Sequence, residues 1–110
     1  MPSPKAVLTL LTLLPALASP AAAGMRDTEA CKREVAATYA SLDASASEVQ
    51  STMKGKREDS CLAYRRHFVD IVKARAAAAQ CKTGDERAND IGRLDGAVEQ
   101  VNAGIAERCG

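Results

Sequence analysis

SCLAYRRHFVDIVKARAAAAQCK, residues 60–82, decides the fold. Cys61, Tyr64, Phe68, Ile71 and Ala78 fall on one stripe at helical spacing, with Leu62, Val69, Val72, Ala76 and Ala79 beside it. So wide an apolar face predicts the middle helix of a bundle, touching a neighbour on either side. The run Ala76 to Ala79 pairs high helix propensity with small volume and lets a neighbour approach closely. A cysteine stands near each end of the stretch, so whatever the cysteines bond to must lie at opposite ends of this helix.

The stretch before it carries a second stripe. Cys31, Val35, Tyr39, Leu42, Ala46, Val49 and Met53 are spaced by four and three alternately, which predicts a helix over about 28–54. Asp27 or Thr28 can cap its start, and Lys54 with Gly55 suits its end, where a cation meets the negative pole and glycine accepts a left-handed cap. The stretch after it opens on Thr83-Gly84-Asp85-Glu86, a capping box. Ile91, Leu94, Val98, Val101, Ile105 and Cys109 follow at three and four residues and predict a helix over about 85–109. Gly92, Gly96 and Gly104 each cost about 1 kcal/mol against alanine there, so this helix leans on tertiary contact. No alternating run predicts a strand, and short linkers place consecutive helices antiparallel. The expected fold is all-α, an up-down-up three-helix bundle.

The first residues, MPSPKAVLTLLTLLPALASPAAAG, combine Lys5, an apolar run from Ala6 to Leu14 and the small pair Ala21 and Ala23. That is the pattern of a secretory signal peptide, residues 1–23, cleaved near Ala23, leaving one helical domain over 24–110. The run is shorter than the roughly 20 apolar residues of a membrane span and contains Pro15. Export to a periplasm or to the exterior is expected, with no membrane span in the mature chain. Only Lys5 of the 15 basic residues is removed, which leaves 14 basic against 14 acidic residues. A neutral domain has no global field for nucleic acid.

Cys31, Cys61, Cys81 and Cys109 all lie in the mature part, and in an oxidising compartment an even number reads as disulfides. The helical layout selects their pairing. Cys31 and Cys81 lie at one end of the bundle, Cys61 and Cys109 at the other; either other pairing would span roughly 30 Å, whereas bonded cysteines need α-carbons within about 7 Å. With the turns centred near residues 56–57 and 83–84, Cys31 faces residue 82, and Cys61 faces residue 106, a looser match that asks the last turn to fray. A four-cysteine metal site is excluded by the same geometry and by the lack of any C-x-x-C pair.

No motif carries chemistry. The lone histidine, His67, has no placeable catalytic partner, and the carboxylates Asp85, Glu86, Asp90, Asp95, Glu99 and Glu107 alternate with arginines as on a solvated face. A calcium loop, a phosphate loop, a serine elbow and a haem attachment motif are all missing, and aromatic residues are 3% of the chain, too few to line a cofactor pocket. The expectation is a non-enzymatic protein without cofactor, a stiff interaction factor (adaptor, inhibitor or chaperone-like) with an envelope or extracellular protein as partner. One feature is uneven: Lys54, Lys56, Arg57, Arg65, Arg66 and His67 fall towards one end of the antiparallel pair. The competing expectation is therefore a small binding module for an anionic ligand or envelope lipid at that basic end. An exposed apolar strip on one helix would favour the first reading and a concave basic pocket the second.

Overall fold

The structure, a computed structural model, describes residues 28–110. The expected signal peptide and its cleavage point lie outside the described residues. Three helices make up the domain: α1, Glu29–Thr52; α2, Arg57–Cys81; and α3, Gly84–Cys109. They run up, down and up as the linkers require. α2 is central, and each flanking helix makes most of its contact with it. Among the described residues there is no strand, and no helix is long and apolar enough to cross a membrane.

The helix ends follow from local chemistry and differ in part from expectation. Thr28 caps α1: its backbone is extended and its Oγ1 accepts the Cys31 amide at 3.1 Å. The far end closes two residues early. Met53 N–H reaches Gln50 O at 3.4 Å and Gly55 N–H reaches Thr52 O at 3.1 Å, so tightened turns satisfy the last carbonyls, and Gly55 adopts no left-handed conformation. α2 begins at Arg57 rather than Ser60. Glu58 and Asp59 in its first turn complement the positive pole, which draws the helix back to Lys56, whose carbonyl accepts Asp59 N–H at 3.1 Å. At α3 the capping box does not form. Thr83 is the N-cap but its side chain makes no cap bond, and Glu86 instead takes the Lys82 ammonium at 3.0 Å. Gly84 has φ +61°, a conformation that glycine alone adopts without strain, and it turns the chain tightly from α2 into α3.

The core gathers Leu42 from α1, Ile71, Ala74 and Ala78 from α2, and Leu94 and Val101 from α3, with Tyr39, Tyr64, Phe68, Ile91 and Ile105 packed around it. On α2 the distribution by size is unexpected. Ile71 is buried together with Ser60, Ala63, Ala74, Ala77 and Ala78, while Leu62, Val69 and Val72 are 50%, 48% and 46% exposed. The larger residues of the second apolar stripe of α2 therefore stay outside the core. Leu62 and Val69 lie about 180–200° around the helix from Ile71 at 100° per residue, so both flanking helices close on the Ile71 side and leave these two half exposed.

Gly104 has a packing role. A Cβ there would collide with the ring of Tyr64, so the missing side chain lets an α2 aromatic lie directly on the α3 backbone. The two disulfides are Cys31–Cys81 and Cys61–Cys109, with α-carbons 5.3 and 5.0 Å apart. No fraying is needed at the second. α3 stays helical to Cys109, and the α2–α3 register, marked by the Arg75–Asp95 ion pair as well as by Cys61–Cys109, is centred on residue 85 rather than 83–84.

Candidate functional site

The basic residues that the sequence places at one end of the bundle do not all line one cleft. Lys54 and Lys56 are exposed on the turn between α1 and α2. Arg66 leans towards α1 and donates to Glu48 Oε1 at 2.9 Å. His67 turns inwards, with Nδ1 2.7 Å from Ser45 Oγ. The Ser45 hydroxyl also lies 3.1 Å from Leu42 O. A hydroxyl has one proton; if it goes to that carbonyl, His67 Nδ1 carries the hydrogen and donates to Ser45. Burial lowers the pKa of His67, against an opposing pull from Asp70.

His67 thus borders a separate cleft of about 190 Å³ between all three helices, lined also by Gln50, Tyr64 and Gln100. A serine beside a histidine suggests a nucleophile and its base, but Ser45 is only 5% exposed and its oxygen is enclosed by the helix that carries it. The geometry does not present this hydroxyl to a substrate.

Arg57 and Arg65 do come together, and with a partner that sequence spacing could not supply. Arg108, from the last turn of α3, joins them around a cleft of about 420 Å³ whose wall includes Glu58, Leu62 and the Cys61–Cys109 bridge. The disulfide holds the start of α2 against the end of α3 and so fixes the position of Arg108 relative to the two α2 arginines. None of the three makes an ion pair with a described carboxylate.

The opposite end of the bundle is internally satisfied. Asp90 of α3 accepts the Tyr39 hydroxyl from α1 at 2.6 Å and the ammonium of Lys82, which stands between α2 and α3. Arg93 lies 3.5 Å from its other oxygen. The Lys82 contact first, and the Tyr39 bond second, hold the Asp90 carboxyl down to about 2. Lys82 is correspondingly raised, chiefly by Asp90, and it also lies over the Tyr39 ring, 4.8 Å from its centroid. This cluster ties three elements together, and its charges face one another. It was not legible in sequence, because Tyr39 reads as core and Asp90 as solvated face. Among the described residues, no group of three or more histidine, cysteine and acidic side chains is arranged to hold a metal ion.

The remaining surface feature is the outer face of α2. Between Leu62 and Ala76 this face carries Leu62, Arg65, Arg66, Val69, Val72, Lys73 and Ala76, with no acidic residue among them. The strip is about 21 Å long at 1.5 Å rise per residue. Compared with family models, curated proteins and solved structures, the chain matches none of them.

Proposed function

We propose that the protein is an exported, non-enzymatic interaction factor of the cell envelope, in the manner of an adaptor, inhibitor or chaperone-like protein, which binds a partner protein along the outer face of α2. The observation that carries this reading is an apolar line on that helix that the core does not use: Ile71 and the small residues Ala63, Ala74, Ala77 and Ala78 face the core, while Leu62, Val69 and Val72 stand about half exposed. Apolar side chains aligned on one face and unused by the fold are what a docking surface needs. Two disulfides support the exported setting.

The chemistry of the strip supports one class of partner. Arg65 and Lys73 border the aliphatic line, so the complementary surface is an amphipathic helix with an apolar stripe flanked by aspartate or glutamate. A second copy of the chain is disfavoured, since two such strips would set arginine against arginine. A partner helix of about four turns would match the strip.

The test compares the wild type with a Leu62→Asp, Val69→Asp, Val72→Asp variant in co-purification from envelope extract. The three side chains are already half in water, so the variant is expected to fold normally and to lose the partner. Retention of the same partner would refute the docking role of this face. The export half is tested separately: protein recovered from the envelope should begin at Gly24.

A further inference from the structure

The arginine cleft at the Cys61–Cys109 end meets the α2 strip at Leu62 and Arg65 but extends beyond it to Arg57 and Arg108, and further observations bear on it. Four described arginine side chains have no hydrogen-bond or ion-pair partner: Arg33, Arg57, Arg65 and Arg108. Three of the four line this one cleft. Their neighbours elsewhere are matched, Arg66 with Glu48, Arg75 with Asp95 and Arg93 with Asp90. Arg108 Nε is moreover shielded from solvent with no acceptor, so no group within the fold pairs with this guanidinium.

The backbone points the same way. Lys56, the N-cap of α2, supplies no side-chain cap bond. The first amides of α2, at Arg57 and Glu58, therefore keep the unmet hydrogen-bonding capacity of a helix start and the positive pole of a 25-residue helix, beside the cleft that the same two residues line. Three guanidinium groups outnumber the negative groups of the wall, the Glu58 side chain and the backbone carboxylate of Gly110.

We propose that this cleft binds a phosphate-type oxyanion, either as inorganic phosphate or as the phosphomonoester headgroup of a lipid. A carboxylate has two oxygens and is satisfied by a single guanidinium fork, whereas three separate forks and a helix start suit a tetrahedral group that accepts from several directions. The volume of about 420 Å³ accommodates phosphate with its bound water. Exposed Leu62 at the rim gives an attached hydrocarbon an apolar surface to leave along.

The experiment titrates the oxidised mature protein with inorganic phosphate, with acetate, and with phosphatidylcholine vesicles containing phosphatidic acid, followed by backbone amide shifts or by co-sedimentation. Phosphate is expected to move the amides of Arg57, Glu58 and Arg108, and acetate to bind distinctly more weakly. Arg57→Gln with Arg108→Gln, which spares the strip, should weaken binding about tenfold or more, as loss of two charge-assisted contacts implies. Arg57→Gln with Arg65→Gln gives the same reading should the change at Arg108 disturb the bridge. Binding to vesicles but not to free phosphate assigns the lipid headgroup; binding to both assigns the shared phosphate chemistry. Equal affinity for acetate, unchanged binding in both variants, or no binding to phosphate or vesicles would overturn the proposal.

Discussion

Replacing Asp90 with asparagine should weaken the domain at neutral pH and leave it unaffected in strong acid. The isosteric change keeps a group that Tyr39 and Lys82 can reach but removes the charge. In the native chain the carboxyl sits at about 2, below the usual 3.8, because Lys82 and then Tyr39 bond to it. A displacement of that size corresponds to about 2.5 kcal/mol as an upper bound, and since the Asp90 side chain is 16% exposed, solvent reduces this to about 1–2 kcal/mol. The folded pKa lies below the unfolded one, so the contribution is complete above about pH 4 and is lost as pH falls through 2. Thermal unfolding followed by far-ultraviolet circular dichroism at pH 7, 4 and 2 measures it. Asp90→Asn should lower Tm by about 4–16 °C at pH 7, given about 4–8 °C per kcal/mol for a domain of this size. At pH 2 the gap between variant and wild type should shrink to half or less. An unchanged Tm at pH 7, or the same deficit at both extremes, would show that the charge cluster does not join α1, α2 and α3 as described.

Three further outcomes are expected. Converting Cys61 and Cys109 to serine opens a loop with a sequence separation of 48 and should cost about 4 kcal/mol, seen as a marked fall in the urea midpoint; a loss under 1 kcal/mol would contradict the stapling role. Gly92→Ala and Gly96→Ala, where an added Cβ meets nothing within 4 Å, should each stabilise by about 0.5–1 kcal/mol, while Gly104→Ala should destabilise by displacing Tyr64; the order is read by chemical denaturation. His67, whose pKa is lowered chiefly by burial, resists protonation in the fold. Part of the stability is therefore lost as pH drops below about 6.5, and His67→Gln should flatten the pH 7 to 5 slope of Tm.

Much of the fold was legible because period and cysteine placement constrain one another. Stripes ending in cysteines leave one way for an antiparallel bundle to bond them, and Cys31–Cys81 and Cys61–Cys109 are the pairs formed. What could not be read was which side of α2 the neighbours would choose. Two apolar stripes run side by side there, and hydrophobicity alone does not rank Tyr64, Phe68 and Ile71 against Leu62, Val69 and Val72. The backbones approach on Ala63, Ala74, Ala77 and Ala78, a choice set by close packing. The basic end was legible as a region but not as a site. Arg66 and His67 are withdrawn by Glu48 and Ser45 across the helix interface. Arg108 enters the cleft only because the α2–α3 bridge carries it there. Pairings between residues far apart in the chain leave no local trace, which is also why the Tyr39, Lys82 and Asp90 cluster went unseen.

The central claim, that the outer face of α2 is where a partner protein docks, is tested most directly by placing a photoreactive side chain at Val69 in the full chain within living cells, with Ser47 on α1 and Asn102 on α3, both exposed, as controls. The account predicts that position 69 cross-links one protein through an amphipathic helix whose apolar stripe is flanked by acidic residues. The purified partner should then bind the wild type about tenfold or more tightly than Val69→Asp. Cross-links equally strong from Ser47 or Asn102, or a partner whose purified form binds the Val69→Asp variant as well as the wild type, would contradict it.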